Sequence, residues 1–230
     1  MPDLTVVIPW RDVGCVHRQR SLRWCLDRWR ELGRTVRLGL SVGDPWVKAD
    51  AVDHGVAPLP DDTVVVIADA DVWCDGIDAA IDAVTSGSHR WAKPHRLVHR
   101  LDDATTAATH DGGPLGGKLD QAPYVGKTGG GMLVTTAATY REIPLDPRFQ
   151  GWGQEDESWG LALQCLAGPG FLGDAHLWHL WHPPQPRLSR VIGSRAGQQL
   201  HARYKAVSST PAAMRSLIAE IATERPPRTP

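Results

Sequence analysis

Three short stretches of this 230-residue chain concentrate side chains able to do polar chemistry. In FQGWGQEDESWG, residues 149 to 160, three acids run together as Glu155, Asp156 and Glu157, although the whole chain has only six glutamates. Acids at a helix start complement its dipole, but three within one turn repel one another, so local structure does not ask for all of them. Placed on a helix, Glu155 and Asp156 bracket the apolar stripe of Trp159, Leu163 and Leu166, while Glu157 points nearly the opposite way and is expected to face water. A carboxylate beside a tryptophan in a partly dry site suits a general base.

The second stretch, TVVVIADADVW, ends an apolar run on Asp69 and Asp71. Asp-x-Asp alone is a weak motif, and turn or cap aspartates are its ordinary explanation. Two carboxylates just past a buried strand nevertheless need compensation, which a divalent cation gives by taking hard oxygen ligands. The third stretch, HLWHLWHPP, offers His176, His179 and His182. Alternation along a strand puts His176 and His182 on one face and His179 on the other. Imidazole readily completes an oxygen-rich manganese site, so His179 and His182 are the candidate ligands beside Asp69 and Asp71.

The elements that must position these groups follow from periodicity. LTVVIPW (4–10) reads as a buried strand. Leu22, Cys25, Leu26, Trp29 and Leu32 then recur at helical spacing, with Gly33 as the stop. VRLGLSV (36–42) and residues 63–73 read as further strands, which suggests an α/β fold with a mostly parallel central sheet flanked by helices. Ligands in such sheets collect at the carboxyl ends of strands, where Pro9, Trp10, Arg11, Asp44, Asp69 and Asp71 fall. Residues 86–131 are rich in Gly, His, Thr and Asp and read as an irregular excursion. MLVTT is a short strand, 171–184 a final strand, and PAAMRSLIAEIATE a short amphipathic helix before a tail expected to be disordered.

Composition removes several classes of function. A hydrophobic fraction of 42% with 22% charge is that of an ordinary globular protein, and no apolar run has the roughly 20 residues of a membrane span. MPDLTVVIPW lacks the basic leader of a signal peptide, so the cytoplasm is the expected address and no membrane partner is expected. Four cysteines without Cys-x-x-Cys spacing give neither a zinc knuckle nor a disulfide scaffold. The net charge of −1 gives no global pull toward nucleic acid, although arginines crowd the segment from Arg11 to Arg37. Ten tryptophans leave room for stacking on sugars or bases.

In order, VVIPWRD, VVVIADADVW, TGGGMLV, GWGQEDESW and HLWHP resemble the GT-A glycosyltransferases, above all the β-1,4-galactosyltransferase and chondroitin-synthase-like branch, across about residues 4 to 184. The resemblance implies a GT-A fold, a manganese or magnesium ion, a nucleotide-sugar donor (UDP-sugar foremost), hexosyl transfer and inversion at the anomeric carbon. It implies that Trp10 and Arg11, after Pro9, hold the nucleotide, and that Asp69 and Asp71 hold the metal and donor diphosphate. Gly129, Gly130 and Gly131 would pass close to the donor sugar, and Trp152 would sit on a mobile loop at the acceptor. Glu155 would bind acceptor hydroxyls and Asp156 would be the base. Trp10 stands where the family has Phe, and the membrane anchor and disulfides of the secretory relatives are absent.

The expected organisation is one catalytic domain over residues 1–205, followed by a C-terminal helix and tail over 206–230. The acceptor is open among saccharide, protein, small molecule and modified nucleic-acid base. The competing functions are a nucleotidyltransferase using metal and a nucleotide triphosphate, which would leave GWGQED idle, and a non-catalytic carbohydrate-binding module, which needs neither metal nor nucleotide.

Overall fold

The computed structural model describes residues 3–41, 43, 45–151, 153–183 and 194–224. The elements run β1 (Leu4–Trp10), α1 (Val16–Glu31), β2 (Thr35–Leu40), α2 (Lys48–Val56), β3 (Val64–Ala68), β4 (Val72–Trp73), α3 (Ile77–Thr85), β5 (Trp91–Arg100), α4 (Asp103–His110), β6 (Tyr124–Val125), β7 (Met132–Thr136), α5 (Ala137–Glu142), α6 (Glu155–Leu166), β8 (Phe171–His179), α7 (Arg195–Val207) and α8 (Pro211–Glu224). Strands and helices alternate through the first half, as the hydrophobic periods predict.

The strands form one eight-stranded sheet in the order β2-β1-β3-β7-β5-β8-β4, with β6 added to β5. The α/β class agrees with the sequence reading, but the sheet is mixed rather than mostly parallel. β1 pairs in parallel with β2 and β3, and β5 with β8, whereas β7 runs antiparallel between β3 and β5, and β4 runs antiparallel on β8. The run 63–73 does not continue as one strand. It breaks at Asp69–Asp71, so β3 lies in the middle of the sheet and β4 pairs with β8 at the far end of the strand order.

The excursion 86–131 contains β5, a ten-residue strand. Its polar sequence WAKPHRLVHR hides it: Lys93 and His95 are buried, and Pro94, which cannot donate to a ladder, sits at a register shift in the pairing with β8. Two apolar layers sandwich the sheet. One joins Val7, Val65 and Leu133 to Trp159, Leu163, Leu200, Tyr204, Met214 and Leu217; the other joins Val6, Ile8, Val66 and Val134 to Leu22, Trp29, Ile77 and Ile81. Helix α7 runs across residue 205, and α8 packs into the first layer with it. The tail after Glu224 lies outside the described residues. No described helix is long and apolar enough to cross a membrane.

Candidate active site

Strand ends do place the chemistry. Backbone direction is fixed where β3 ends: the Asp69 amide donates to Gly131 O at 2.9 Å, and Leu180 N donates to Asp71 O at 2.8 Å. Asp71 is thereby set against the end of β8. Its Oδ2 lies 3.3 Å from Nε2 of His182 and its Oδ1 lies 3.8 Å from Nε2 of His179. Donor atoms of these three residues all lie within 4.8 Å of one another, the one such group among the described residues. The strand ends at His179, so the alternation expected for His182 does not apply: the chain turns and brings the two rings to 5.3 Å. His176 goes elsewhere and stacks on His99 at 4.4 Å.

The donor set suits a divalent cation. Nδ1 of His182 lies 2.9 Å from Pro183 O, which holds the ring so that Nε2 faces Oδ2 of Asp71. A carboxylate oxygen and an imidazole nitrogen this close, with His179 beside them, can ligate one ion together. Burial pushes the imidazole of His179 down to about 4, against the pull of Asp71, so it stays neutral. Burial pushes the carboxyl of Asp71 up, but His179, His182 and Arg18 outweigh it and hold it well below the usual carboxylate range. One carboxylate and two imidazoles, with further positions left open, fit manganese better than magnesium, which prefers oxygen throughout.

The sequence reading missed Lys48. This buried lysine at the start of α2 lies 2.8 Å from Oδ1 of Asp69 and donates to Oδ1 of Asp156 at 2.9 Å. Burial alone would pull its ammonium down, but Asp156, Asp69 and Glu155 hold it well above the usual lysine range. Asp69 is therefore tied to Lys48, while the three-donor group is built on Asp71. The only hint in the sequence is that lysine is scarce here, five residues against twenty arginines.

Asp156 and Glu155 open α6, as the helical wheel predicts, with Trp159 and Leu163 buried behind them. Burial raises the carboxyl of Asp156, with Lys48 opposing. Burial and the neighbouring Asp156 push Glu155 up to about 7, while its Oε2 accepts from Gly153 N at 2.8 Å. The preceding Gln154 holds φ 71, the one described non-glycine residue in the left-handed region. Glu157 does not simply face water. It pairs with Lys127 at 3.0 Å and lies 3.8 Å from Nε2 of His201, because α7 covers the side the wheel left open.

The glycine stretch packs on this helix start. A Cβ at Gly129 would meet Asp156 O at 2.3 Å, one at Gly130 would meet Asp156 Oδ2 at 2.9 Å, and Gly131 has φ 76. Pro9 and Trp10 end β1 opposite Gly39 and Leu40, and Arg11 donates to Gly43 O at 2.8 Å. Asp44 and Trp152 lie outside the described residues.

No family model matches the chain, and no curated protein does. Several solved structures are similar. A Drosophila β-1,4-galactosyltransferase 7, solved with manganese, UDP-Gal and xylobiose, is 11% identical over 84% of this chain and 70% of that chain, with a TM-score of 0.43. Glucosyl-3-phosphoglycerate synthase of Mycobacterium tuberculosis is 13% identical over 90% of this chain and 81% of that chain, with a TM-score of 0.47. A glycosyltransferase involved in glycosylation of the major capsid of PBCV-1 is 11% identical over 79% of this chain and 95% of that chain, with a TM-score of 0.38.

Proposed function

We propose that the chain is a metal-dependent, inverting glycosyltransferase that moves a hexosyl group from a UDP-sugar to an acceptor hydroxyl. The observation that carries the reading is how Asp69-Ala70-Asp71 divides. Asp71 faces His179 and His182 in a donor group fit for a divalent ion, while Asp69 is joined through buried Lys48 to Asp156. A three-residue segment thus couples a metal site to a candidate base.

Bound at Asp71, His179 and His182, manganese would neutralise charge on the departing diphosphate. Asp156, raised by burial, takes the acceptor proton. Lys48 fixes one oxygen of Asp156, and its charge keeps the carboxylate ionised until the proton arrives. Glu155 offers its second oxygen to acceptor hydroxyls. Gly129 and Gly130, bare of side chains, let the start of α6 pack close and so fix the position of Asp156. Pro9, Trp10 and Arg11 at the end of β1 would hold the nucleotide.

Titration with UDP, with and without manganese, tests the reading. UDP should bind much more tightly with the metal, and Asp71→Ala should abolish that gain. Equal UDP affinity in both conditions would sink it, and a manganese-independent affinity for oligosaccharides alone would favour a binding module.

A further inference from the structure

The arginine-rich segment resolves into two kinds of residue. Arg20 and Arg30 pair with Asp111 and Asp27 at 2.9 and 2.8 Å on the surface. Arg18, on the same helix, turns inward and sets Nη2 3.4 Å from both ring nitrogens of His182. From the other side, Arg100 at the end of β5 sets Nη1 3.4 Å from Nε2 of His179, while its Nε donates to the Tyr124 hydroxyl at 3.1 Å. Arg18 acts on Asp71 from a distance, but neither Arg18 nor Arg100 forms a salt bridge with a carboxylate among the described residues.

Contacts of 3.4 Å to imidazole edges are at the long limit of hydrogen bonding, so most of the five N–H donors of each guanidinium are unspent. The placement of the cationic groups is also notable for its symmetry. Two guanidinium groups flank the group built on one carboxylate, Asp71, one reaching it from α1 and one from β5. A multiply charged anion placed between the arginines would meet donors from both sides.

We propose that Arg18 and Arg100 form a two-sided clamp on the donor's diphosphate, a source of positive charge that the protein supplies beside the metal. The clamp rests on the glycosyltransferase reading. As the acceptor oxygen bonds to the anomeric carbon, the bond from that carbon to the diphosphate oxygen breaks and its electron pair passes to the diphosphate oxygen. Arg18 and Arg100 donate to the non-bridging oxygens of the leaving group, and the acceptor proton goes to Asp156.

Calorimetry with inorganic pyrophosphate and with UDP, each in EDTA and in manganese, tests the clamp. The parent should bind pyrophosphate even in EDTA, with an affinity that falls as salt rises. Arg18→Ala and Arg100→Ala should each weaken pyrophosphate binding roughly tenfold to a hundredfold with or without metal. The lysine variants should recover only part of it, because a point charge lacks the fork. Manganese binding alone, followed by electron paramagnetic resonance, should stay as tight or tighten. Variants that bind pyrophosphate as the parent does, or that lose manganese instead, would overturn the clamp. Arg18→Gln and thermal melts guard against misfolding. Arginine-dependent pyrophosphate binding without UDP binding would keep an anion clamp and remove the glycosyltransferase reading; metal-dependent UDP binding indifferent to the arginines would do the reverse.

Discussion

Lys48 shows how a site can rest on a residue that no pattern marks. Its ammonium holds Asp69 and Asp156 from 2.8 and 2.9 Å, and removing it leaves two half-buried carboxylates without their shared counter-charge. Lys48→Met should raise the pKa of Asp156 further, so the acidic limb of the pH–rate profile for sugar transfer should move upward by about one unit or more. An unshifted profile would make Lys48 a packing residue. Asp156→Asn keeps shape but cannot take a proton, so transfer should fall roughly 10²- to 10⁴-fold while UDP affinity stays within a few-fold. Glu155→Gln should raise the acceptor KM more than the donor KM, and Glu157→Gln, held by Lys127 away from the reacting groups, should change neither. Asp156, Glu155, Asp71 and the late histidines could be read from sequence because carboxylates and imidazoles crowd at strand and helix ends. Lys48, Arg18 and Arg100 could not, since each gains meaning only from a distant residue.

Among the elements, α6 and the glycine stretch constrain each other. A Cβ at Gly130 would press on the Asp156 carboxylate at 2.9 Å, and one at Gly129 on its carbonyl at 2.3 Å. Gly130→Ala should therefore lower transfer strongly at a stability cost of about 1–3 kcal/mol, read from kinetics and urea melts of one preparation. Gln154 makes the opposite case. A non-glycine residue at φ 71 stores strain, so Gln154→Gly should stabilise the fold by about 0.5–1 kcal/mol unless the glutamine side chain has a role. β1, α1, β3 and β8 were visible because apolar residues repeat at the period of the element. β5 was not, because Lys93, Pro94 and His95 interrupt its period; the register shift beside Pro94 is what lets such a sequence cross a sheet. The mixed sheet was likewise hidden: local pattern says that MLVTT is a strand, not that it runs antiparallel between β3 and β5.

For the whole molecule, two buried titrations pull in opposite directions. His179 stays neutral to about 4, so below its ordinary value of 6.5 the unfolded chain binds the proton first, and stability falls as pH drops through that window. Glu155 is raised from 4.5 to about 7, so the unfolded chain loses its proton first, and stability falls as pH rises from 4.5 to 7. Urea midpoints against pH should separate them. Glu155→Gln should flatten the loss on the alkaline side and leave the acid side, and a variant with the parent's full profile would show that Glu155 ionises freely.

The same connections have a kinetic meaning. Lys48 and Asp156 are 108 positions apart, and Arg18 and His182 are 164 apart, so the site closes only when the first and last thirds of the chain meet. Contacts of such span carry the largest loop-closure cost and are expected late in folding, after β1, β2 and β3 have paired locally. A ligand that needs Asp71, His179 and His182 together would find no purchase on the transition state. Stopped-flow refolding should then be nearly indifferent to manganese while unfolding slows in proportion to metal affinity, so the ion would act as a latch on a finished fold.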